Sequence, residues 1–345
     1  MDKRKGRTLV RKRTEAVYTE QESLETLFKM FLDYKVSQGL RERTIQDHKK
    51  HHRYFAKWLS DQYPALKPSE LTPQIVQAYI SFMKVDKVQF QGHPFSPSKN
   101  QEEPKVGLSP STINIRLRSL KCFLKYLYDH GHVQKNPLAG IKLLRVDEDE
   151  IGAFSEQQVA KLLKVVDKKT YAGYRDLALM TLLLDTGLRI SEALSLTIEM
   201  FDPTARLLTL PGRVTKTRKL RQLPLSPETT KLLKQLVQEN KHLFYPDTPE
   251  HIFLTAFGDP LKPTIFSRRL RQYGNKAGIS SSRVSPHTFR HTFAKFYILN
   301  GGDPFTLQVI LGHSSMDMVR KYVQMYSEDV KIQHSKFSPL KRLPR

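Results

Sequence analysis

The chain has 345 residues, with 57 Lys and Arg against 34 Asp and Glu, a net charge of +23. That length allows two domains with their own cores, and that excess suits a partner that is a polyanion, nucleic acid first. The basic residues are spread along the chain, unlike the single amphipathic segment of a membrane-surface protein, and the single cysteine, Cys122, excludes an internal disulfide framework and a cysteine zinc cluster.

Residues 1–18 form a basic tail poor in apolar side chains. No apolar segment follows it, and the longest apolar run, Leu177 to Leu184, is too short to cross a bilayer, so a soluble, cytoplasmic, nucleoid-associated protein is expected. Residues 19–145 read as a helical bundle. A helix spans Ser23 to Gln38 and stops at Gly39; a second, about Thr44 to Leu59, sets Ile45, Phe55 and Leu59 against a stripe of Lys49, Lys50, Arg53 and Lys57. Thr72 and Pro73 open a third. Residues 86–108 break all periodicity, an insertion long enough to be functional or disordered. Ser109 and Pro110 restart a helix to about His130, with Ile113, Leu117, Leu120, Leu124 and Leu127 on one face and Asn114, Arg118, Lys121 and Lys125 on another. These two stripes make a candidate DNA-binding surface. The cluster His48, His51 and His52 is read as part of the DNA-facing helix and not as a metal site.

Gly131 to Glu150 reads as an interdomain linker, with an acidic end at 146–150. A second domain then runs over 151–327, followed by a tail at 328–345. Ser155 caps a helix to about Val166, and another from about Tyr174 ends at Thr186 and Gly187. With Ser191 capping the next helix, Arg189 falls in a turn. Residues 206–225 read as short strands around tight turns, and helices follow over Ser226 to Asn240, Thr264 to Ala277, Ser285 onward and Pro304 to Leu311. The expected fold class is mainly α with a small β-hairpin or sheet (α+β).

The chemistry gathers between Ser285 and Val323. In the helix opened by Ser285 and Pro286, Phe289, Phe293 and Phe296 fall on one side and His287, Arg290, His291 and Ala294 on the other, the second side facing outward. His313 lies in a Leu-Gly-His turn, and Tyr322 on the helix after it. A phenol, two imidazoles and a guanidinium suit phosphoryl transfer, although each residue taken singly has an ordinary structural role.

Taken together, DTGLRISEALSL at 185–196, HTFRHTF at 287–293, LGH at 311–313 and KYV at 321–323 resemble the tyrosine recombinase, or phage integrase, family. Tyr322 lies nine residues beyond His313, the spacing of that family's nucleophile. Asn136, Pro137 and Leu138 extend the resemblance, more weakly, into the first half. It implies a two-domain clamp of core-binding bundle and catalytic domain. By it Arg189 and Arg290 hold the scissile phosphate, His287 and His313 hydrogen-bond it, Tyr322 attacks, and Glu192 supports Arg189. The hairpin lysine is Lys216 by its register eight residues before Pro224, with Lys219 competing. The resemblance further implies no ATP and no obligatory metal, a homotetramer on duplex DNA that passes through a Holliday junction, accessory directionality or bending proteins, and a C-terminal tail that docks on a neighbour.

These residue types suit the reaction independently of the family. Negative charge accumulates on the nonbridging oxygens of an attacked phosphodiester, and two fixed guanidinium groups can meet it without a metal. A tyrosine of pKa about 10 is ionised in about one molecule in a thousand at neutral pH, so it needs a base, for which His287 is the candidate, or a positive field. The leaving 5′ oxygen needs a proton, for which Lys216 is the candidate donor. Integration and excision of a mobile element is the favoured setting, because the 86–108 insertion and basic tail depart from the compact housekeeping recombinases. Resolution of chromosome or plasmid dimers is the alternative. A type IB topoisomerase, a catalytically silent DNA-binding protein, and a zinc enzyme using His287 and His291 fit the motifs less well.

Overall fold

A computed structural model describes residues 22–89, 105–146, 152–280, 283–313 and 315–323, together with positions 334, 335 and 338; for 321–323 it describes the backbone alone. The basic tail, most of the 86–108 insertion, the acidic run at 147–150 and most of the C-terminal tail lie outside the described residues. The chain divides into two compact units, 1–148 and 149–345.

In the first unit, α1 (Leu24–Ser37), α2 (Glu42–Gln62), α3 (Pro73–Ser81) and α4 (Pro110–Asp129) pack around an aromatic core. Their starts follow from local chemistry: the hydroxyls of Ser23, Thr72 and Ser109 accept the amides three residues on, which a helix leaves without internal partners. Phe31, Phe55, Trp58, Tyr79 and Phe123 fill the centre, each within 6% exposure. Two histidines of α2 turn inward: His52 stacks on Phe28 at 3.5 Å between ring centres, and His48 Nδ1 lies 2.8 Å from Ser119 Oγ. His48 and His52 therefore line the packing seam of the helix whose opposite side exposes Lys49, Lys50, Arg53 and Lys57.

The 86–108 segment has an ordered neck. Val88 and Val106 pair as an antiparallel bridge, Gln89 N–H donates to Lys105 O, and Gly107 N–H donates to Lys87 O, both at 2.9 Å. Gly107 sits at φ +79, and a Cβ there would run into the backbone carbonyl of Lys84, so only glycine lets the neck fold back against the helical turn that precedes it.

The second unit runs α5 (Glu156–Lys164), α6 (Tyr171–Thr186), α7 (Ile190–Leu194), β1 (Phe201–Asp202), β2 (Leu207–Leu210), β3 (Arg221–Pro224), α8 (Pro227–Leu243), α9 (Pro263–Lys276), α10 (Pro286–Leu299), α11 (Pro304–Leu311) and α12 (Met316–Val323). Helix α6 is apolar on nearly every side and is packed by α8 and α10, as a helix buried all round must be. The sheet is antiparallel in the order β1-β2-β3, with Leu207 opposite Pro224 and Leu210 opposite Arg221. Only these short stretches of 206–225 are strand; residues 211–220 connect them. A smaller apolar cluster of Phe293, Ala294, Ile298, Leu307, Leu311 and Val319 ties α10, α11 and α12 together.

One buried charge is structural. Asp176, fully buried on α6, accepts from Arg175 Nη2 at 2.7 Å, Tyr273 Oη at 2.9 Å and Arg269 Nε. Burial, and then the Asp176 carboxylate, push the Tyr273 phenol up to about 12. Replacing a buried charge by an uncharged residue here leaves two guanidinium groups stranded.

Candidate active site

The Arg189 turn is built by two reciprocal devices. Helix α6 ends on Gly187 in the left-handed conformation, φ 59, where a Cβ would lie 2.4 Å from Phe293 and 2.7 Å from Leu311. The next helix opens on Arg189, not on Ser191 as the sequence suggests. Glu192, three residues on, accepts both the Arg189 amide at 3.2 Å and its Nη1 at 3.0 Å, and that carboxylate takes over the capping assigned to Ser191.

Arg290 enters from α10. It is 3% exposed, not outward-facing, because α10 is packed on both sides and Ala294, one turn on, is fully buried as well. Its Nη1 donates to Gly187 O at 2.6 Å, and its Nη2 donates to Leu311 O at 2.8 Å and lies 2.7 Å from His313 Nε2. A guanidinium can only donate, so His313 Nε2 accepts and the ring proton sits on Nδ1. Both carbonyls lie at helix C-termini, where the backbone carries partial negative charge.

Leu311 O is the shared point. Besides Arg290 it accepts from Arg221 Nη1 at 3.0 Å and, at the limit of a hydrogen bond, Arg189 Nη1 at 3.5 Å. Arg221 Nη2 also donates to Glu192 at 2.7 Å. Gly312, at φ +62, is the residue the turn favours, and its bare Cα lets the end of the Arg221 side chain lie directly against it.

These charges set the local proton affinities. Burial works against ionisation of Glu192, but Arg221 and Arg189 outweigh it and hold the carboxyl below its usual range. Burial, then Arg290, Arg189 and Arg221, bring His313 down to about 4. Burial, then the neighbouring His287 and Arg290, bring His291 to about 4 as well. Burial with Arg290 and Arg189 depresses His287, which remains exposed at the start of α10. At neutral pH three arginines face one carboxylate and neutral imidazoles, so the site keeps an excess of positive charge.

The structure thus gathers Arg189, Glu192, Arg290 and His313 by direct contact, with His287 near enough for the arginines to act on it. Lys216 and Lys219 are both exposed in the connection between β2 and β3, which Thr215 Oγ1 folds by donating to Lys219 O at 2.9 Å. Tyr322 lies on α12, and its side chain lies outside the described residues. Arg221 was missed in the sequence. The available signal was strand alternation, since Arg221, Leu223 and Leu225 all point inward, and an inward charge demands a partner.

On the first unit, Lys49, Lys50, Arg53 and Lys57 are exposed along α2, as are Arg118 and Lys125 on α4; Lys57 pairs with Asp61 at 3.7 Å and Lys125 with Asp129 at 2.9 Å. Asn114 does not belong to such a surface. It is 3% exposed and exchanges two 2.9 Å hydrogen bonds with the backbone of Leu144, while Lys121 Nζ donates to Ile141 O at 3.2 Å. The segment carrying Ile141 and Leu144 packs on the core and covers that side of α4. Among the described residues, no three His, Cys, Asp or Glu side chains form a metal site, and no helix is long and apolar enough to cross a membrane.

Residues 153–329 match the phage integrase family and residues 23–143 the phage integrase SAM-like domain. The tyrosine recombinase XerC of Chlamydia caviae is 30% identical over 228 residues, covering 66% of this chain and 72% of that protein. The tyrosine recombinase XerD of Lacticaseibacillus casei is 26% identical over 311 residues, 90% of this chain and 97% of that protein. In fold, the chain is similar to the Tn1549 transposon integrase solved with a circular intermediate DNA, with a TM-score of 0.66 over 90% of this chain and 98% of that one at 19% identity. It is also similar to a lambda integrase dimer bound to a core site, with a TM-score of 0.63 over 87% and 95% at 15% identity. With an arginine-lined site on this fold and a family match across more than half its length, the chain belongs to the phage integrase family of tyrosine recombinases, enzymes that cut and rejoin DNA at specific sites.

Proposed function

We propose that this recombinase cuts each strand of duplex DNA by attack of Tyr322 Oη on the scissile phosphorus. The Tyr322 O–P bond forms as the P–O5′ bond breaks, leaving a 3′-phosphotyrosyl link and a free 5′ hydroxyl. His287 takes the phenolic proton, and Lys216 supplies a proton to the departing 5′ oxygen. Arg189 and Arg290 hold the nonbridging oxygens, with His313 in hydrogen-bonding position beside them. A partner's 5′ hydroxyl then attacks the phosphotyrosine, so the bond energy is kept and neither ATP nor an obligatory metal is required.

The convergence of Arg290, Arg189 and His313 around Leu311 O supports this reading. The three lie together, and donors fixed by the fold around the point where charge develops are usually the largest single contribution to such a rate enhancement. The exposed lysines and arginines of α2, with Arg118 and Lys125, serve as contacts to the duplex backbone. Exchange runs within a homotetramer through a Holliday junction, with the C-terminal tail docked on a neighbour and accessory proteins setting direction. Integration and excision of a mobile element is the setting we favour, on the 86–108 insertion and the basic tail. Resolution of replicon dimers uses the same residues and differs in the DNA joined.

A nicked substrate that traps the covalent complex tests both levels. Tyr322→Phe is expected to bind its site normally and form no adduct; an adduct mapping to another tyrosine overturns the assignment. Sequencing the DNA trapped on the wild-type protein identifies the setting, since mobile-element ends and replicon junctions are different sequences.

A further inference from the structure

Arg221 stands outside the motifs that mark the site, yet its guanidinium is built into it. It projects from the first residue of β3, opposite Leu210 at the end of β2, so it sits where the connection carrying Lys216 leaves the sheet. Its two terminal nitrogens part: Nη2 holds Glu192 at 2.7 Å and Nη1 holds Leu311 O at 3.0 Å. Side-chain exposure of 7% keeps both bonds out of water.

Each of those acceptors has a second arginine. Glu192 also holds Arg189, and Leu311 O also holds Arg290. Taking Arg221 away therefore leaves Arg189 and Arg290 anchored by their own bonds. What is cut is the tie between β3 and the turn carrying His313. Gly312 marks how close this tie is, since a Cβ there would crowd Arg221 Nη1 and the end of that side chain would have to shift.

We propose that Arg221 is a positioning residue that couples the Lys216 connection to the phosphate clamp, holding the general acid in register with the phosphate. The proposal rests on the reading of Lys216 as that acid. A lysine at 221 keeps the charge but not the planar fork that reaches two acceptors at once, so the function belongs to the shape of the group as well as to its sign.

The test compares ordinary DNA with DNA whose scissile 5′ bridging oxygen is sulfur, since a thiolate leaves without a proton. Lys216→Ala, Arg221→Met and Arg221→Lys are each expected to slow cleavage of ordinary DNA by about 10²-fold or more, the usual worth of a general acid. The sulfur substrate is expected to restore all three to within about tenfold of wild type. Lys219→Ala is expected to cleave both substrates normally. If Lys216→Ala is rescued and the Arg221 variants are not, Arg221 acts on the clamp itself and the inference fails alone. If Lys216→Ala is not rescued, the assignment of the acid fails and takes the inference with it. Wild-type cleavage by Arg221→Lys on ordinary DNA reduces Arg221 to a charge and overturns the proposal. If neither Arg221 variant folds, as read by thermal melting and DNA binding, Arg221 holds the fold and the proposal falls.

Discussion

Arg221 and Arg290 donate to one atom, the carbonyl oxygen of Leu311, at 3.0 and 2.8 Å. One residue comes from a strand and the other from a helix, and the acceptor is the last carbonyl of a third element. The turn that presents this oxygen is therefore as much a part of the site as the side chains around it.

Gly312→Ala should disturb that turn directly. The position is left-handed at φ +62, and the new Cβ would meet Arg221 Nη1 at 2.4 Å. Backbone strain of this kind costs about 1–3 kcal/mol. A denaturant titration should show a lowered midpoint, and strand cleavage should fall by more than DNA binding does. A variant with a wild-type midpoint and wild-type cleavage would mean that the turn tolerates a side chain.

Glu192 is 1% exposed and joins Arg189 to Arg221. Glu192→Ala strands two arginines and should cost about 3–5 kcal/mol, whereas Glu192→Gln keeps the shape and loses the charge. The folded carboxyl titrates below its usual 4.5, so the folded state binds the proton less readily than the unfolded state does. Its stabilising contribution is full above pH 4.5 and is lost as pH falls through the depressed folded value. Wild type should exceed Glu192→Gln in stability near neutrality, with the gap closing below pH 4.5; a gap that stays constant from pH 7 into this acid range argues that the arginines do not hold the carboxylate.

His313 should stay neutral far below the ordinary histidine range. Burial and three arginines place its titration at about 4. Imidazole nitrogen NMR on the DNA-free protein should therefore show the Nδ1–H tautomer throughout pH 5–7, values set by the ordinary histidine range. A bound DNA phosphate should move the titration upward by offsetting the arginine charge. Titration near 6.5 in the free protein, the value the group starts from, would contradict the contact with Arg290.

Asn114 and Arg118 share a helix and should fail in opposite ways. Asn114→Ala removes two hydrogen bonds to the Leu144 backbone, for a loss of about 1–3 kcal/mol of stability, and should leave the salt dependence of DNA binding as it was. Arg118→Ala should leave stability nearly unchanged and lower the salt slope by about 0.9, the value of one phosphate contact. Equal slopes for wild type and Arg118→Ala would show that Arg118 is merely solvated.

What was legible in the sequence was local. Ser23, Thr72, Ser109, Ser155, Ser226 and Ser285 each cap a helix by the hydrogen bond their residue type favours. The Arg189 turn, the α10 site residues and the Leu-Gly-His turn could be read from their neighbours. Helical spacing groups Asn114 with Arg118 and Lys121, but its burial is decided by a segment 30 residues on. Helical spacing sets Arg290 on an outward side, because a wheel shows two sides of a helix and not how many of them are packed. Arg221 escaped because its partners lie 29 residues before it and 90 residues after it, separations over which no local periodicity runs.

The carbonyls of Gly187 and Leu311 have one further consequence. They hold Arg290 with backbone dipoles, where carboxylates would have cancelled its charge. Groups that carry only partial charge therefore fix the direction of the guanidinium. Sulfate or inorganic phosphate should bind beside Arg189 and Arg290 as a weak competitor of DNA, raising the melting temperature by mass action while slowing cleavage. Buffers containing these ions would then make the enzyme look sturdier and slower than it is.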